Sequence, residues 1–348
     1  MVTGSKFAPL ARVERGGRTE SWHAGVATAV TPRGETIARA GDPQVATYIR
    51  SAAKPFQALP FVEMGGVEAF GLDAADLAVI CASHNGLPEH VERVAALLER
   101  GGLAPEQLGC GVHWPYDAGA RQALCEAGRQ PTVLHNNCSG KHTGMLLACK
   151  LAGWPLDSYL DPGHPLQQAI LRALAALIGV AAEEMVVAVD GCGAPCYYLS
   201  VSAAARAYAA LAGPELAGCA PDRADALHRI AEAMAAAPGM VAGPGELTTR
   251  LIEVTGGRVI GKEGAEGFYA LAIRGPVALG AALKIADGSD RARPGAVLDL
   301  LRQLGCLAEA EIEELRPFYM PEVRNRQGVA VGRIVCELEM ETVAEEVR

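Results

Sequence analysis

A serine and a lysine stand three positions apart in the segment Ser51-Ala52-Ala53-Lys54. Residues three apart on a helix share one face, so the hydroxyl of Ser51 and the amine of Lys54 fall within hydrogen-bonding range. In acyl-transfer enzymes with this S-x-x-K spacing, the lysine takes the proton of the attacking serine. The same spacing also arises by chance, as a helix-capping serine followed by a solvated lysine. Further motifs must decide between these readings.

Two later segments extend the pattern. Ser83-His84-Asn85 resembles the S-D-N element of serine β-lactamases and penicillin-binding proteins, and Lys262-Glu263-Gly264 stands where their K-T-G element would be. The middle residue differs from that pattern in both segments, and each segment also suits an ordinary turn. Three elements in the right order nevertheless favour a serine–lysine acyl hydrolase.

A third group of reactive side chains surrounds a predicted helix start. Cys138 and Lys141 are again three apart, and a separate loop offers Asp190 and Cys192. Backbone amides at a helix start lower the pKa of a nearby thiol, so Cys138 is a candidate thiolate. Two thiolates suit zinc, although the paired CxxC spacing of structural zinc sites is missing. Two free cysteines in polar loops are the alternative.

Lysine is scarce in this chain, because only 6 of its 31 basic residues are lysines. Lysine can lose its proton when it is buried or placed among cations, whereas arginine stays charged. We therefore expect Lys54, Lys141 and Lys262 to do work that arginine cannot do. If the three converge with a metal ion, desolvation and like-charge repulsion lower their pKa toward neutrality.

Composition excludes several classes of function. Half of the 348 residues are hydrophobic and the formal net charge is −9, so neither disorder nor binding to nucleic acid or anionic membranes is expected. The apolar stretches are too short to span a membrane, and no signal peptide is recognised near the start. The ten cysteines are too dispersed for a disulfide scaffold. We expect a cytoplasmic protein.

Turn residues and hydrophobic periodicity predict an α/β (α+β) fold. An N-terminal hairpin is expected from residues 25–30 and 35–40, a strand at 185–189, a three-stranded meander across 258–285 and a last strand near 329–337. Strands near both ends of the chain predict a central antiparallel sheet built from both ends, with flanking helices. The helices are expected at 51–64, 88–100, 140–151, 165–178, 222–236, 245–254 and 294–304, with 76–81 either strand or helix end.

No repeat or long linker divides the sequence. We therefore expect one compact catalytic unit over 1–348. Its sheet portion covers about 8–50 and 255–340, and its mainly helical portion covers about 51–254.

Seven segments together, in order, resemble the asparaginase II family of the Rhizobium etli type. The resemblance extends to about Glu337 and implies hydrolysis of L-asparagine to L-aspartate and ammonia, on a fold similar to serine β-lactamases and glutaminases. The segments are Glu20-Ser21-Trp22-His23-Ala24-Gly25, Arg50-Ser51-Ala52-Ala53-Lys54-Pro55, Ser83-His84-Asn85-Gly86, Asn136-Asn137-Cys138-Ser139-Gly140-Lys141-His142, Asp190-Gly191-Cys192-Gly193-Ala194-Pro195, Met240-Val241-Ala242-Gly243 and Lys262-Glu263-Gly264.

The resemblance also implies roles for ten residues. It implies two serine–lysine pairs, a zinc site that binds or orients the substrate, and polar residues that line that site. A homodimer is the family expectation. The catalytic residues are Ser51, Lys54, Ser83 and Lys262; the zinc ligands are Cys138, Lys141 and Cys192; the substrate-binding residues are Arg50, His142 and Asp190.

Two alternatives remain open at this point. Within the same class of chemistry, the chain is a glutaminase or a β-lactamase-like or peptidase-like serine acyl hydrolase. From a different class, a zinc-binding or thiol redox protein would use Cys138, Cys192 and Cys196 and would not need the serines.

Overall fold

A computed structural model describes residues 6–343. Contacts within the chain divide it into two compact units. Unit 1 contains the chain up to Ala52, Leu199–Gly218 and the chain from Arg250 on. Unit 2 contains Ala53–Tyr198 and Cys219–Thr249. This division does not test the expected single catalytic unit, which stays a prediction.

The strands lie mostly toward the two ends of the chain. They are β1 (Ala8–Arg15), β2 (Arg18–Val30), β3 (Thr36–Ala40), β4 (Ala46–Tyr48), β5 (Val186–Val189), β6 (Pro195–Ser200), β7 (Val259–Glu263), β8 (Phe268–Ile273), β9 (Leu279–Ile285), β10 (Glu322–Arg324), β11 (Ala330–Cys336) and β12 (Glu341–Thr342).

The helices fill most of the chain between these strands. They are α1 (Lys54–Glu63), α2 (Gly66–Ala69), α3 (Ala74–Ile80), α4 (Pro88–Arg100), α5 (Ala118–Glu126), α6 (Ser139–Ala152), α7 (Pro165–Ile178), α8 (Val201–Ala212), α9 (Pro221–Ala236), α10 (Pro238–Val241), α11 (Leu247–Val254), α12 (Arg293–Gln303), α13 (Glu309–Glu314) and α14 (Arg316–Tyr319).

Unit 1 is built on an antiparallel sheet with strand order β10-β11-β1-β2-β9-β8-β7, and β3 pairs with β2. Strands from both ends of the chain are neighbours: Ala11 pairs with Cys336, and Val26 pairs with Lys284. Every residue of β8 is buried, so both faces of that strand are covered. Helix α8 packs against β8 and β9. The close approach requires a glycine at position 280, because a Cβ there would lie 1.9 Å from the carbonyl oxygen of Ala205. The predicted mixed α/β fold, with a sheet built from both ends, is confirmed.

Unit 2 is mainly helical and is organised around α1 and α6. Both helices are buried along most of their length, which is typical of helices enclosed by others. Helix α1 is buried from Lys54 to Val62 and packs against α6, α7 and α9. Helix α6 approaches α3 closely because a Cβ at Gly140 would lie 2.2 Å from the carbonyl oxygen of Val79. Lysine and cysteine side chains at the starts of α1 and α6 are thereby held in a dry interior.

Several element boundaries differ from the sequence expectation. Residues 76–80 belong to a helix, α3, which is capped at its start by Asp73 and at its end by Cys81. The expected helix 51–64 is instead a 3-10 turn over Arg50–Ala53 that continues into α1. Helix α8 and strand β1 were not among the expected elements, because Val201–Ala212 is mostly alanine with little polar periodicity and charged residues interrupt the apolar pattern of β1. No helix within residues 6–343 is long and apolar enough to cross a membrane.

Candidate functional site

The predicted site residues fall in both units. Arg50, Ser51 and Lys262 lie in unit 1. The remaining seven lie in unit 2, where hydrogen bonds bring several of them together; they are Lys54, Ser83, Cys138, Lys141, His142, Asp190 and Cys192.

Lys54 is the first residue of α1 and is 1% exposed. Its ammonium donates to the hydroxyl of Ser83 at 2.9 Å and to the carbonyl oxygens of Ala82 at 2.5 Å and Asn137 at 3.2 Å. It also bonds to the side chain of Cys138. Within unit 2 the serine beside Lys54 is therefore Ser83, and Lys54 connects this serine to the cysteine at the start of α6.

Cys138, Lys141 and Cys192 lie close together. All three are buried, the ammonium of Lys141 lies 3.0 Å from the sulfur of Cys192, and the two sulfurs are hydrogen-bonded to each other. The bond from Cys192 and the charges of Lys54 and Lys141 hold the pKa of Cys138 well below its usual range. The same bond and burial raise the pKa of Cys192. The pair thus shares one negative charge, with Cys138 as thiolate and Cys192 as thiol.

The pKa of Lys141 is raised, whereas the lowered pKa expected from the sequence was conditional on a metal ion beside it and stays a prediction. Burial disfavours its ammonium, but the charges of Cys138 and then Cys192 outweigh burial and raise the pKa of Lys141 to about 12. The sequence argument counted the cations around Lys141 and left out the cysteines, whose anionic form attracts the ammonium.

The Cys192 loop is a tight turn between β5 and β6. Strand pairing brings Val189 opposite Pro195, and the turn closes through bonds from Asp190 N–H to the carbonyl of Ala194 at 2.9 Å and from Gly193 N–H to the carbonyl of Asp190 at 2.9 Å. Gly193 has φ +82°, a conformation that other residues rarely adopt. The glycine thus permits the turn that presents Asp190 and Cys192.

The donor chemistry of this cluster suits zinc. Within the described chain no three His, Cys, Asp or Glu side chains converge as a metal-binding group, so the candidate donors are the two thiols and the Lys141 amine. Soft thiolates select zinc, and a tetrahedral ion separates a sulfur and a nitrogen ligand by about 3.6 Å. The 3.0 Å bond from Lys141 to Cys192 is close to that separation. Small side-chain shifts and loss of the shared protons would convert the cluster into three ligands.

His84 connects the Ser83 loop to α6. It is fully buried; its Nδ1 accepts the N–H of Gly86 at 3.2 Å, so its Nε2 carries the proton and donates to Ser139 at 2.9 Å. Ser139 in turn donates to the carbonyl of Leu134 at 2.9 Å. Burial, reinforced by the charge of His90, lowers the pKa of His84 well below its ordinary value. A neutral imidazole thus replaces the aspartate of the S-D-N pattern.

His142 lies beside Lys141 on α6 and is also fully buried. Burial and the charges of Lys141 and Lys54 lower its pKa well below the ordinary value. Its Nδ1 lies 2.6 Å from the hydroxyl of Tyr159, which accepts the N–H of Gly109 at 2.8 Å. Sequence analysis did not identify Tyr159 as part of this group, since no motif contains it.

In unit 1 the backbone before Ser51 is strained. Arg50 has φ +48°, in the left-handed region that non-glycine residues rarely occupy. Such strain persists only where surrounding structure holds it, and it is common at functional sites. The end of β7 packs against this segment, because a Cβ at Gly264 would lie 2.5 Å from the carbonyl oxygen of Ile49. The strand that carries Lys262 therefore lies next to the Ser51 turn.

Lys262 is fully buried and is ion-paired with the neighbouring Glu263. Glu263 replaces the threonine of a K-T-G element, and this difference was visible in the sequence. Its consequence, an acidic partner for Lys262, was not predicted.

Comparison with known proteins gives a family match over most of the chain. The family model described as L-asparaginase II matches residues 11–336. No curated protein matches. Among solved structures, one titled "Crystal Structure Analysis of Mglu in its glutamate form" is 16% identical with a TM-score of 0.35, and the match covers 81% of this chain and 60% of that one.

Proposed function

Because the chain belongs to the L-asparaginase II family, we propose that it is an amidohydrolase that hydrolyses L-asparagine to L-aspartate and ammonia. The observation that carries this proposal is the environment of Lys54: a buried amine that donates to the hydroxyl of Ser83 at 2.9 Å and to two carbonyl oxygens. A buried amine held against a hydroxyl is the arrangement in which lysine exchanges a proton with serine.

In the proposed reaction, Ser51 attacks the side-chain amide carbon, and Lys54, three residues further on and in its neutral amine form, accepts the hydroxyl proton. The C–N bond breaks, and the proton passes to the leaving amine, which departs as ammonia. Water then hydrolyses the β-aspartyl ester and restores the serine. Ser83 and Lys262 form the proposed second serine–lysine pair, and Ser83 exchanges protons with Lys54 through the bond that joins them.

Arg50, His142 and Asp190 are the proposed anchors for the charged α-amino and α-carboxylate groups of the substrate. Cys138, Lys141 and Cys192 would hold zinc, which when bound supplies a positive charge that binds or orients the polar end of the substrate. Lys54 connects the two parts, because it bonds both to Ser83 and to Cys138.

The test is kcat/KM for asparagine and glutamine on one preparation, measured by ammonia release. One extra methylene is worth only about 10–200-fold in a simple pocket. Fixed anchors at the α-groups make the difference larger, because they force glutamine to misplace its carbonyl at the serine. We expect a wide preference for asparagine. A ratio within about tenfold would indicate a general amidohydrolase, and a reversed ratio a glutaminase.

A further inference from the structure

The hydrogen bonds around His142 determine which of its nitrogens carries the proton. Tyr159 is 3% exposed, and burial raises the pKa of its hydroxyl, so the O–H proton is retained. The tyrosine oxygen already accepts the N–H of Gly109 at 2.8 Å. Among the described residues, the acceptor within reach of the Tyr159 O–H group is Nδ1 of His142, 2.6 Å from the tyrosine oxygen. Tyr159 therefore donates to Nδ1, and the proton of the neutral ring resides on Nε2.

That Nε2–H group has no partner among the described residues. The atom is buried, and no hydrogen-bonding group among residues 6–343 reaches it. Nearly all buried donors in folded proteins are paired, and an unpaired one calls for an explanation. A donor that is buried, oriented by a second side chain and left unpaired is suited to an acceptor atom of a ligand.

The charges near the ring indicate which acceptor. The groups that act on His142 electrostatically are the ammonium groups of Lys141 and Lys54. A donor in a positive environment binds an anionic oxygen better than a neutral one. For an amino-acid substrate that oxygen belongs to a carboxylate.

Tyr159 is also fixed relative to the loop that carries Asp190 and Cys192. A Cβ at Gly193 would lie 3.3 Å from Leu160, the residue after Tyr159. Gly109, whose N–H holds the tyrosine oxygen, also approaches both residues: a Cβ there would lie 2.7 Å from Leu160 and 3.2 Å from the Tyr159 oxygen. The hydroxyl that orients His142 thus belongs to one packed assembly with the loop.

We propose that Tyr159 is a positioning residue, which holds His142 as the Nε2–H tautomer so that this group donates to a carboxylate oxygen of the amino-acid substrate. The carboxylate assignment rests on the proposed function. The tautomer does not, because it follows from the burial and the hydrogen bonds of Tyr159 and His142.

The first experiment is Tyr159→Phe, which removes the O–H donor and keeps the ring. We expect KM for asparagine to rise about tenfold while kcat changes little, because one oriented hydrogen bond to substrate is lost. Tyr197→Phe is the matched control, since it deletes another buried tyrosine hydroxyl of unit 2. An unchanged KM in Tyr159→Phe, or an equal rise in both variants, overturns the proposal.

The second experiment compares two replacements of His142. The glutamine amide nitrogen takes the place of Nε2, and the asparagine amide nitrogen takes the place of Nδ1. We expect His142→Gln to keep a KM about tenfold lower than that of His142→Asn, since only glutamine retains the donor at the right position. Equal KM values, or the reverse order, overturn the proposal.

The third experiment needs no catalysis. In the wild-type chain labelled with ¹⁵N-histidine, His142, assigned by the signal missing in His142→Gln, should show a protonated Nε2 and an unprotonated Nδ1. L-Aspartate should shift the Nε2–H signal. A protonated Nδ1 overturns the inference whatever the activity, whereas an Nε2–H tautomer in a chain that hydrolyses neither amide overturns the proposed function instead.

Discussion

The side chain of Lys54 is buried, and its described partners are a hydroxyl, two carbonyl oxygens and a cysteine. A lysine used only as a cation would be replaceable by arginine, whereas a lysine that gives up its proton would not. The proposed mechanism requires the second role.

We therefore predict that Lys54→Arg lowers kcat/KM for asparagine nearly as much as Lys54→Ala, by about a thousandfold. Lys150→Arg is the matched control, because Lys150 is an exposed lysine near the end of α6. Steady-state ammonia release and a thermal unfolding curve for each variant give the measurement. Recovery of much of the rate in Lys54→Arg would show that Lys54 acts as a fixed charge.

The cysteine cluster gives a second residue-scale prediction. Purified wild-type chain should carry up to one zinc ion, and Cys138→Ser and Cys192→Ser should each lose it, because hydroxyls replace thiolates poorly as zinc ligands. Cys125→Ser is the control, since Cys125 is an exposed free thiol. Metal content is measured by mass spectrometry on protein prepared without chelator. Absence of zinc from the wild type, or its retention in both cluster variants, would contradict the proposed site.

How much of the site the sequence could predict depends on the residue. Cys138, Lys141 and Cys192 lie together, and only the family resemblance implied this: Lys141 and Cys192 are 51 positions apart, and no local pattern brings them together. The bond from Lys54 to Ser83 was not predicted, since it joins residues 29 apart through the packing of separate elements. Tyr159 and Glu263 were missed for the same reason: neither residue type marks a site until a neighbour gives it a partner.

At the scale of elements, His84 couples a loop to a helix. Its neutral ring is accommodated by the bonds to Gly86 and Ser139, and a proton on Nδ1 would break the first of them. Because the pKa of His84 is lowered in the folded chain, the unfolded chain binds more protons below pH ~6.5, the ordinary histidine pKa. The free energy of unfolding therefore falls as the pH decreases below that value.

We predict that His84→Gln weakens the pH dependence of the free energy of unfolding. The slope below pH ~6 should fall by up to about 1.4 kcal/mol per pH unit, which corresponds to one proton. Glutamine retains a donor in the place of Nε2 but does not titrate. The free energy of unfolding of the wild type and of His84→Gln is measured by urea unfolding between pH 7.5 and 5. The slopes of this free energy against pH are compared, because other buried histidines titrate in both chains. Parallel slopes would mean that His84 binds protons equally in the folded and unfolded chains, so that its pKa is not lowered by folding.

Secondary structure agreed with the sequence prediction where the hydrophobic periodicity was strong. Helices α4 and α7 begin and end as expected, because proline starts each and glycine follows each. The segment 76–81 was ambiguous, and the capping box formed by Asp73 and Asp76 resolves it as helix. Helix α8 was not predicted, because its alanine-rich sequence is mostly buried and has too few polar residues to mark a helical period.

At the scale of the molecule, the antiparallel sheet built from both ends of the chain was predictable, because strand patterns occur near both ends and helical patterns dominate between them. Two compact units describe the packing, and the proposed catalytic residues are drawn from both. A homodimer, a cytoplasmic location and a relation to serine β-lactamases stay predictions.

The proposal that this family member hydrolyses asparagine through a serine is tested most directly at Ser51. The measurement is kcat/KM for asparagine in Ser51→Ala, with Ser202→Ala, a partly buried serine of α8, as control. The account predicts a loss of about a thousandfold or more in a chain that remains folded, because the change removes the attacking oxygen and little else. A Ser51→Ala chain that keeps more than about a tenth of wild-type activity would contradict it and assign the attack to Ser83.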